Sequence, residues 1–420
     1  MAERWGAWRC LGAAAVVTAA AGCWGQPGFN ARHQGSNPLE SALTPDTVAG
    51  LAPAWTARVD AGPVRADPVL TGGLDAVLVS DDGAAYALDV ATGARRWRTP
   101  VVPAGGPAAL VAGPVTVDGG EALVPWGGGA ADSGAVARLA VGDGHVVGQV
   151  STAGPLSVTA RSPWRATSTS GFVETTLPFG AVRIEGPVPW FLVTQFGNPS
   201  DPRPSPTAAT LTADRFFVGL GTGFYGANVL DAWDLDRNCP VSGPEPQPAI
   251  CQPDLRTQLD GLPTTPVVDD AEATVYVATA AGTVYAVDAA SGAVRWTAPA
   301  GAPVHQQPAL GAGGLFVATD DGRLLTFDPA GCGAAACAAT RTIALPGPPD
   351  TPPAVAGGVV YAASDGTLAA YPAAGPAPAA PLWSAALGSP VTGGPTVAVG
   401  TLYAGTADGR VVAYRAGPGG

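Results

Sequence analysis

The cysteines are the residues of this sequence with the most obvious chemistry, because a thiol can bind zinc, form a disulfide or be acylated. Six are present, two within the first 23 residues and four further along, at Cys239, Cys251, Cys332 and Cys337. The alternative of a four-cysteine zinc site fits these spacings poorly. Cys239 and Cys251 are close in sequence, as are Cys332 and Cys337, and each of these two pairs lies in a loop rich in Gly, Pro or Ala. We therefore predict local disulfides, Cys239–Cys251 and Cys332–Cys337, and an oxidising compartment.

Few other residues could act in catalysis. The chain contains no Lys, which excludes Schiff-base chemistry, a P-loop lysine and a lysine general base. The three histidines, His33, His145 and His305, are far apart in sequence; His305 could face a central funnel or simply end a strand. Acidic pairs such as Asp81-Asp82 stand at turns, where Asp hydrogen-bonds its own backbone, and none forms a calcium-binding loop. We predict no catalytic residues and no metal site.

The N-terminal residues predict export. Arg4 and Arg9 precede an apolar run over residues 11–21, the pattern of a signal peptide and too short for a permanent membrane span. The run ends in Ala20-Ala21-Gly22-Cys23, which resembles a bacterial lipobox, so we predict acylation of Cys23. The alternative is ordinary cleavage that leaves this thiol unmodified. The Trp at position 24, in place of Asp, favours the outer membrane.

The composition restricts the elements that could position such groups. There are 58 Gly and 43 Pro, about a quarter of 420 residues, and both residues destabilise helices. Eleven Trp and a mean hydropathy of +0.21 indicate a chain with enough apolar surface to form a core. A net charge of −12 and the lack of an Arg cluster disfavour nucleic-acid binding. Many short strands joined by tight turns remain.

A repeated motif predicts how these strands are organised. Residues 82–97 read Asp-Gly-Ala-Ala-Tyr-Ala-Leu-Asp-Val-Ala-Thr-Gly and end in Trp97, and residues 281–296 repeat the pattern and end in Trp296. Weaker copies begin at Asp321, Asp365 and Asp408. A Pro-led strand precedes each copy, and Gly residues supply the hairpin turns. Four antiparallel strands that recur in this way are typical of propeller blades.

The glycines of the motif give the number of blades. Five are clear, and Gly134, Gly180 and Gly226 complete a series of eight. We predict an all-β, eight-bladed β-propeller of four-stranded antiparallel blades, with seven blades as the alternative if residues 152–206 are an insertion. The last blade lacks a Trp strand at the C-terminus. Residues 51–59 would supply this strand from the N-terminal side and close the ring.

The motif at residues 82–97 resembles the pyrroloquinoline-quinone (PQQ) repeat of the quinoprotein superfamily. The resemblance implies tryptophans that dock between adjacent blades, which in this sequence are Trp55, Trp97, Trp296 and Trp383. Quinoprotein dehydrogenases of the superfamily hold PQQ and Ca²⁺ on the propeller axis, but this sequence lacks their adjacent Cys pair and their Cys-x-x-Cys-His motif. Another branch comprises propeller lipoproteins of the outer-membrane protein assembly machinery, which bind partners and catalyse nothing.

These observations support two functional hypotheses. The first is a non-catalytic, monomeric, lipid-anchored scaffold that binds envelope or membrane proteins or an extended peptide, with residues 187–210 and the 239–251 loop as variable surface. The second is a secreted PQQ-dependent oxidoreductase. The predicted organisation is a signal peptide over residues 1–22, a lipid-anchored segment over 23–50, the propeller over 51–416 and a tail over 417–420.

Overall fold

The described part of the chain is built of strands. The structure, a computed structural model, describes residues 24–417 except 61, 72–75, 82, 103–110, 119, 128–133, 153–155, 162–170, 176–179, 186–187, 191–206, 222–227, 235–252 and 379. Within these residues there is no α-helix, and a 3₁₀ turn spans Val48–Gly50. The strands form eight sheets, so the all-β propeller class is confirmed.

The first four sheets follow one another along the chain. Sheet 1 contains Val69–Leu70, Ala76–Ser80, Ala84–Asp89 and Arg95–Pro100. Sheet 2 contains Val111–Ala112, Thr116–Asp118, Glu121–Gly127, Gly134–Ala140 and Val146–Thr152. Sheet 3 contains Leu156–Arg161, Gly171–Thr175, Gly180–Glu185 and Val188–Trp190. Sheet 4 contains Thr210–Leu211, Arg215–Leu220, Asn228–Asp234 and Leu255–Leu259.

The other four sheets complete the series. Sheet 5 contains Val267–Val268, Thr274–Ala278, Thr283–Asp288 and Val294–Pro299. Sheet 6 contains Ala309–Gly311, Gly314–Thr319, Arg323–Phe327 and Arg341–Ala344. Sheet 7 contains Ala354–Ala356, Val359–Ser364, Thr367–Pro372, Trp383–Ala386 and the N-terminal Ser36–Asn37. Sheet 8 contains Val391–Ala398, Thr401–Thr406, Arg410–Ala416 and the N-terminal Leu51–Arg58.

The N-terminal strand closes the last sheet as the sequence predicts. Leu51–Arg58 pairs antiparallel with Arg410–Ala416, with Leu51 opposite Ala416 and Arg58 opposite Arg410. Two details differ from the prediction. Sheets 2 and 7 have a fifth strand, and the first strand of sheet 8 begins at Val391, four residues before the Pro that was expected to lead it. The number of blades stays a prediction, eight with seven as the alternative.

The turns divide into two faces. On one, called face 1, the turn between the first and second strands contacts the turn between the third and fourth; Ala289 N–H, for example, donates to the Ala273 carbonyl oxygen at 3.0 Å. On the other, face 2, the turn between the second and third strands contacts the connection to the next sheet. There Ala300 N–H donates to the Gly282 carbonyl oxygen at 2.8 Å.

The core lies between neighbouring sheets. The second and third strands are buried almost throughout, as in Thr274–Ala278, where every residue is buried. Large side chains such as Tyr86, Tyr361, Tyr403 and Phe316 have less than 2 % of their surface exposed. A strand that is buried on both faces needs apolar residues at consecutive positions, which explains the Val-Tyr-Val-Ala type of second strand.

Candidate functional site

Residues 24–40, called the axial segment, run along the innermost strands of the ring. Backbone carbonyl oxygens of this segment accept hydrogen bonds of 2.7–3.1 Å from one innermost-strand N–H in each of six sheets: Leu70, Val117, Leu211, Val268, Leu310 and Val355. In a seventh sheet, Asn37 Nδ2 donates to the Val397 carbonyl oxygen at 2.9 Å. A segment that reaches the innermost strands of seven sheets must lie at the centre of the ring, on the face 1 side, where these strands end.

The polar groups of the axial segment are largely buried. The His33 side chain is 3 % exposed, and its backbone carbonyl oxygen accepts a hydrogen bond from Gln307 Nε2. Burial lowers the pKa of His33 to about 4, so its imidazole is neutral at pH 7. Burial also raises the pKa of Asp67, a residue outside the segment whose carboxylate accepts the N–H of Gly394 at 2.7 Å and that of Gly28 in the segment. These groups hold the segment in place.

The axis is where the superfamily's dehydrogenases hold PQQ and Ca²⁺, so the axial residues can be tested for a fit to that group. Calcium takes six to eight oxygen ligands, mostly carboxylates and carbonyls. Among the described residues no three His, Cys, Asp or Glu side chains are grouped to hold a metal ion. The Asp67 carboxylate already accepts a hydrogen bond from the Gly394 N–H. The ends of the innermost strands, which are rich in carbonyl groups, are covered by the axial segment. The described axial residues therefore do not fit a calcium-bound quinone.

The four tryptophans of the repeat each link two sheets. In each, the indole Nε1 of an outer strand donates to a carbonyl oxygen of the next sheet in the ring. The pairs are Trp55 with Val90 at 3.0 Å, Trp97 with Val141 at 2.8 Å, Trp296 with Pro329 at 3.3 Å and Trp383 with Leu51 at 2.9 Å. The first three indoles also lie against a glycine that leaves no room for a Cβ: Gly93, Gly144 and Gly331.

In sheets 4 and 6, Leu255 and Arg341 occupy the position that Trp296 has in sheet 5, and the sequence motif does not single them out. Trp296 pairs with Ala286, two residues before Asp288. The corresponding pairs are Ala232 with Leu255 in sheet 4 and Thr326 with Arg341 in sheet 6. Leu255 lies against Gly292 of sheet 5. The Arg341 side chain is 8 % exposed, and its three nitrogens have no hydrogen-bond partner among the described residues.

An Asp at the turn between the third and fourth strands explains another part of the motif. Asp89 Oδ1 accepts hydrogen bonds from the backbone and hydroxyl of Thr92, and Arg96 donates to Oδ2 at 2.8 Å. These bonds, that of Arg96 foremost, lower the pKa of Asp89 to about 2. Asp288 makes the same contacts with Ser291 and Arg295. The conformation of the turn therefore depends on an ionised carboxylate.

The loop after Phe327 covers the outer edge of the neighbouring sheet. Cys332 and Cys337 are joined by a disulfide. Thr297 N–H donates to the Ala335 carbonyl oxygen at 2.9 Å, and Cys337 N–H donates to the Thr297 carbonyl oxygen at 2.8 Å. The disulfide thus holds a strand-like segment against the outer strand of sheet 5. Cys23, Cys239 and Cys251 lie outside the described residues.

The outer strand of sheet 2 has an uncovered edge. Val146–Thr152 pairs with Gly134–Ala140 on one side, and no described segment pairs with its other side. Its sequence, Val-Val-Gly-Gln-Val-Ser-Thr, contains neither a charged residue nor Pro. Val146 and Val147 are 52 % and 45 % exposed. By contrast, the outer strand of sheet 1 carries three arginines, and edge charges of this kind prevent pairing with other chains.

The remaining candidates from the sequence do not converge on a site. His145 pairs with Asp143 at 2.7 Å on face 1, and His305 pairs with Asp320 at 2.6 Å on face 2; both imidazoles are exposed. Most of residues 187–210 and the 239–251 loop lie outside the described residues. A groove of about 470 Å³ on face 1 lies between the axial segment and sheets 5 to 7, and Asp269 and Asp270 lie on its rim.

Comparison with known proteins identifies the relatives of this ring. The model of a protein family described as outer membrane protein assembly factor BamB matches residues 49–173, 246–336 and 338–419. These three stretches cover most of the chain. No curated protein matches the sequence. No helix among the described residues is long and apolar enough to cross a membrane.

Solved structures share the fold at low sequence identity. BamB from Moraxella catarrhalis aligns with a TM-score of 0.55 at 15% identity, over 87% of this chain and 97% of its own. Quinohemoprotein alcohol dehydrogenase from Comamonas testosteroni aligns with 0.65 at 15% identity, over 94% and 80%. The computationally designed Ika8 protein aligns with 0.61 at 13% identity, over 86% and 99%. Because a designed protein scores between the two natural proteins, these scores rank backbone geometry and not function.

Proposed function

This chain belongs to the family of the outer membrane protein assembly factor BamB, the PQQ-like repeat propellers of the quinoprotein superfamily, and from that premise we propose that it is a non-catalytic scaffold of the cell envelope. It is exported, acylated at Cys23 and held at a membrane, with the outer membrane favoured. Its partner is an envelope or membrane protein that contributes an extended segment. The family supports a role in binding proteins, and the surface features of this ring support the mode of binding.

The observation that carries the proposal is the uncovered edge of sheet 2. An edge strand offers unpaired N–H and C=O groups that an added strand can satisfy, while its side chains select apolar residues at alternate positions. Val146 and Val147 begin this strand and are both about half exposed. Val146 lies opposite Leu139 and Gly148 opposite Arg138, so Val147 is the extra residue of a bulge. The outer strand of sheet 5 offers no such edge, because the segment at Ala335–Cys337 covers it.

These two edges provide a matched test. Val146→Lys places a charge on the uncovered edge, and Val294→Lys places one at the corresponding position of sheet 5, where Val294 is 44 % exposed. Partners cross-linked in intact cells are compared by quantitative mass spectrometry. We expect a membrane-protein partner to be lost with Val146→Lys and kept with Val294→Lys. Equal capture by both variants would refute binding at the sheet 2 edge.

The second candidate is a PQQ-dependent oxidoreductase, which the fold similarity to the Comamonas testosteroni enzyme favours. Supplying PQQ and Ca²⁺ to the purified protein distinguishes the two candidate functions. A quinone absorbance that co-elutes with the chain and supports dye reduction would overturn the non-catalytic proposal. We expect neither, because the described axial residues do not present a group of calcium ligands.

A further inference from the structure

Trp24, the first residue that the structure describes, is held against the ring by packing and by hydrogen bonds. The Trp24 side chain is 1 % exposed and packs edge-on against Phe29, with the ring centroids 5.4 Å apart. Its backbone carbonyl oxygen accepts the N–H of Leu70 at 2.8 Å, and that of Gly25 accepts the N–H of Val117 at 2.7 Å. Cys23 directly precedes Trp24 in the sequence, and consecutive Cα atoms are about 3.8 Å apart, so an acyl group on Cys23 would be attached one residue from this buried anchor point.

The anchor point belongs to face 1. Leu70 ends the innermost strand of sheet 1, and Val117 is the penultimate residue of a strand in sheet 2; both strands lead directly into turns of that face. A lipid on Cys23 would therefore leave the ring at the centre of face 1 without a linker. A tether of this length gives the ring little freedom to turn over, because a flexible spacer of many residues would be needed to carry the anchor round the rim.

One sector of face 1 has the chemistry of a surface that contacts lipid. The first turns of sheets 6, 7 and 8 are Ala312–Gly313, Gly357–Gly358 and Val399–Gly400, and none carries a charge. Leu39 and Val399 are 47 % and 42 % exposed. They lie near each other, because Glu40 Oε2 accepts the N–H of Gly400 at 3.0 Å.

Val399 occupies its turn against its conformational preference. Its φ is +55°, a left-handed conformation that Gly and Asn adopt easily and that a β-branched residue adopts only with strain. The corresponding position in sheet 7 is Gly357, with a φ of +58°. The fold does not explain a Val at this position, because its backbone is strained and its apolar side chain is almost half exposed. The presence of Val at this tip is explained if the tip enters an apolar medium.

We propose that face 1 lies against the membrane, with the sector of Leu39 and Val399 in contact with neutral lipid headgroups and the outer ends of their acyl chains. The proposal rests on the acylation of Cys23 that the proposed function includes. The net charge of −12 disfavours anionic lipid, so the preferred surface is zwitterionic. In this orientation the uncovered edge of sheet 2, on the rim, stays open to a partner from the side.

Two leucines on opposite faces test the orientation. Leu39 lies on face 1; Leu262 lies on face 2, where its carbonyl oxygen accepts the N–H of Ala280 at 2.8 Å. Their exposures are 47 % and 48 %, so the pair is matched in type and accessibility. A benzophenone amino acid replaces each in the full chain, which is isolated from membranes and placed in phosphatidylethanolamine–phosphatidylcholine vesicles. After irradiation, mass spectrometry measures lipid adducts at each site.

We expect lipid adducts at position 39 and almost none at position 262, because strands of about six residues place the two faces about 20 Å apart. Equal adducts at both sites on an acylated chain would overturn the orientation alone. Incorporation of labelled palmitate, measured in parallel with Cys23→Ser as the blank, reports on the anchor. A chain without an acyl group would overturn the orientation together with the lipid anchor of the proposed function.

A spacer tests the tether as the cause. Twelve Gly and Ser residues inserted between Cys23 and Trp24 reach about 19 Å on average and leave the described fold unchanged. We expect the adducts at Leu39 to fall toward those at Leu262 while palmitate incorporation is unchanged. An undiminished excess at Leu39 with the spacer present would refute the tether as the source of the orientation.

Discussion

Trp296 of sheet 5 lies directly against Gly331 in the loop of sheet 6: a Cβ on the glycine would lie 2.6 Å from the indole Cδ1, and the glycine has a φ of +84°. The indole N–H reaches over the same loop to the Pro329 carbonyl oxygen. A flat ring, a residue without a side chain and one hydrogen bond together set the distance between two sheets. The same arrangement recurs at Trp55 and Trp97.

Removing the Trp296 ring should therefore loosen the propeller as a whole. We expect Trp296→Ala to lower the free energy of unfolding by about 3–5 kcal/mol, the cost of emptying a buried aromatic site. Trp296→Phe keeps most of the packing and should cost less, with about 1 kcal/mol of its loss due to the hydrogen bond. Urea denaturation followed by circular dichroism measures both. Equal losses in the two variants would show that packing is not the main contribution.

The repeat motif was sufficient to predict the sheets, because its spacing encodes local geometry. Gly282, Gly322, Gly366 and Gly409 all lie at the turn between the second and third strands, each with positive φ. The strand expected after Gly180 spans Gly180–Glu185. The position of the disulfide Cys332–Cys337 was also predicted, since its two residues share one short loop.

The axial segment could not be predicted in the same way. Gln34 contacts Leu310, and Gly35 contacts Val355, across hundreds of residues and through backbone atoms that any sequence possesses. Arg341 was missed for a different reason: its position in the repeat normally carries Trp, and the short motif of sheet 6 gives no sign that a charged residue is buried there. Contacts that depend on ring closure leave no periodic pattern in the sequence.

The turn glycines differ in whether they have room for a side chain, although they occupy the same position of the motif. Gly282 has a φ of +84°, and a Cβ there would lie 2.7 Å from the Ala302 carbonyl oxygen. Gly83 has nothing within 4 Å of the same position. We expect Gly282→Ala to destabilise the protein by more than about 1 kcal/mol and Gly83→Ala to change stability by less than that. Thermal denaturation of the two variants side by side decides; a similar loss in both would contradict the contact with Ala302.

Acid should destabilise the ring through His33. Its pKa falls from 6.5 to about 4 on folding, so the unfolded chain takes up a proton before the folded chain does. Stability is full above pH 6.5 and decreases as the pH falls toward 4. The loss between pH 7 and pH 5 is about 2 kcal/mol.

The matched variant for this effect is His33→Asn. Asn cannot take up a proton in this range and tolerates the φ of +52° at this position. Urea midpoints at pH 7 and pH 5 should differ less in the variant than in the wild type, by an amount equivalent to about 2 kcal/mol. An unchanged difference would show that other groups cause the acid sensitivity.

The disulfide Cys332–Cys337 should protect the edge of sheet 5. Replacing both residues by Ser frees the segment that accepts the Thr297 N–H, and the lost restraint on the unfolded chain is about 2 kcal/mol for so short a loop. We expect faster hydrogen exchange at the Thr297 amide, with amides in the outer strand of sheet 1 unchanged as the internal control. An uncovered edge is also a template for pairing with other chains, so the variant should self-associate at lower concentration than the wild type in sedimentation measurements. Faster exchange without self-association would mean that Arg295 alone, which flanks Trp296 on this strand, is enough to block the edge.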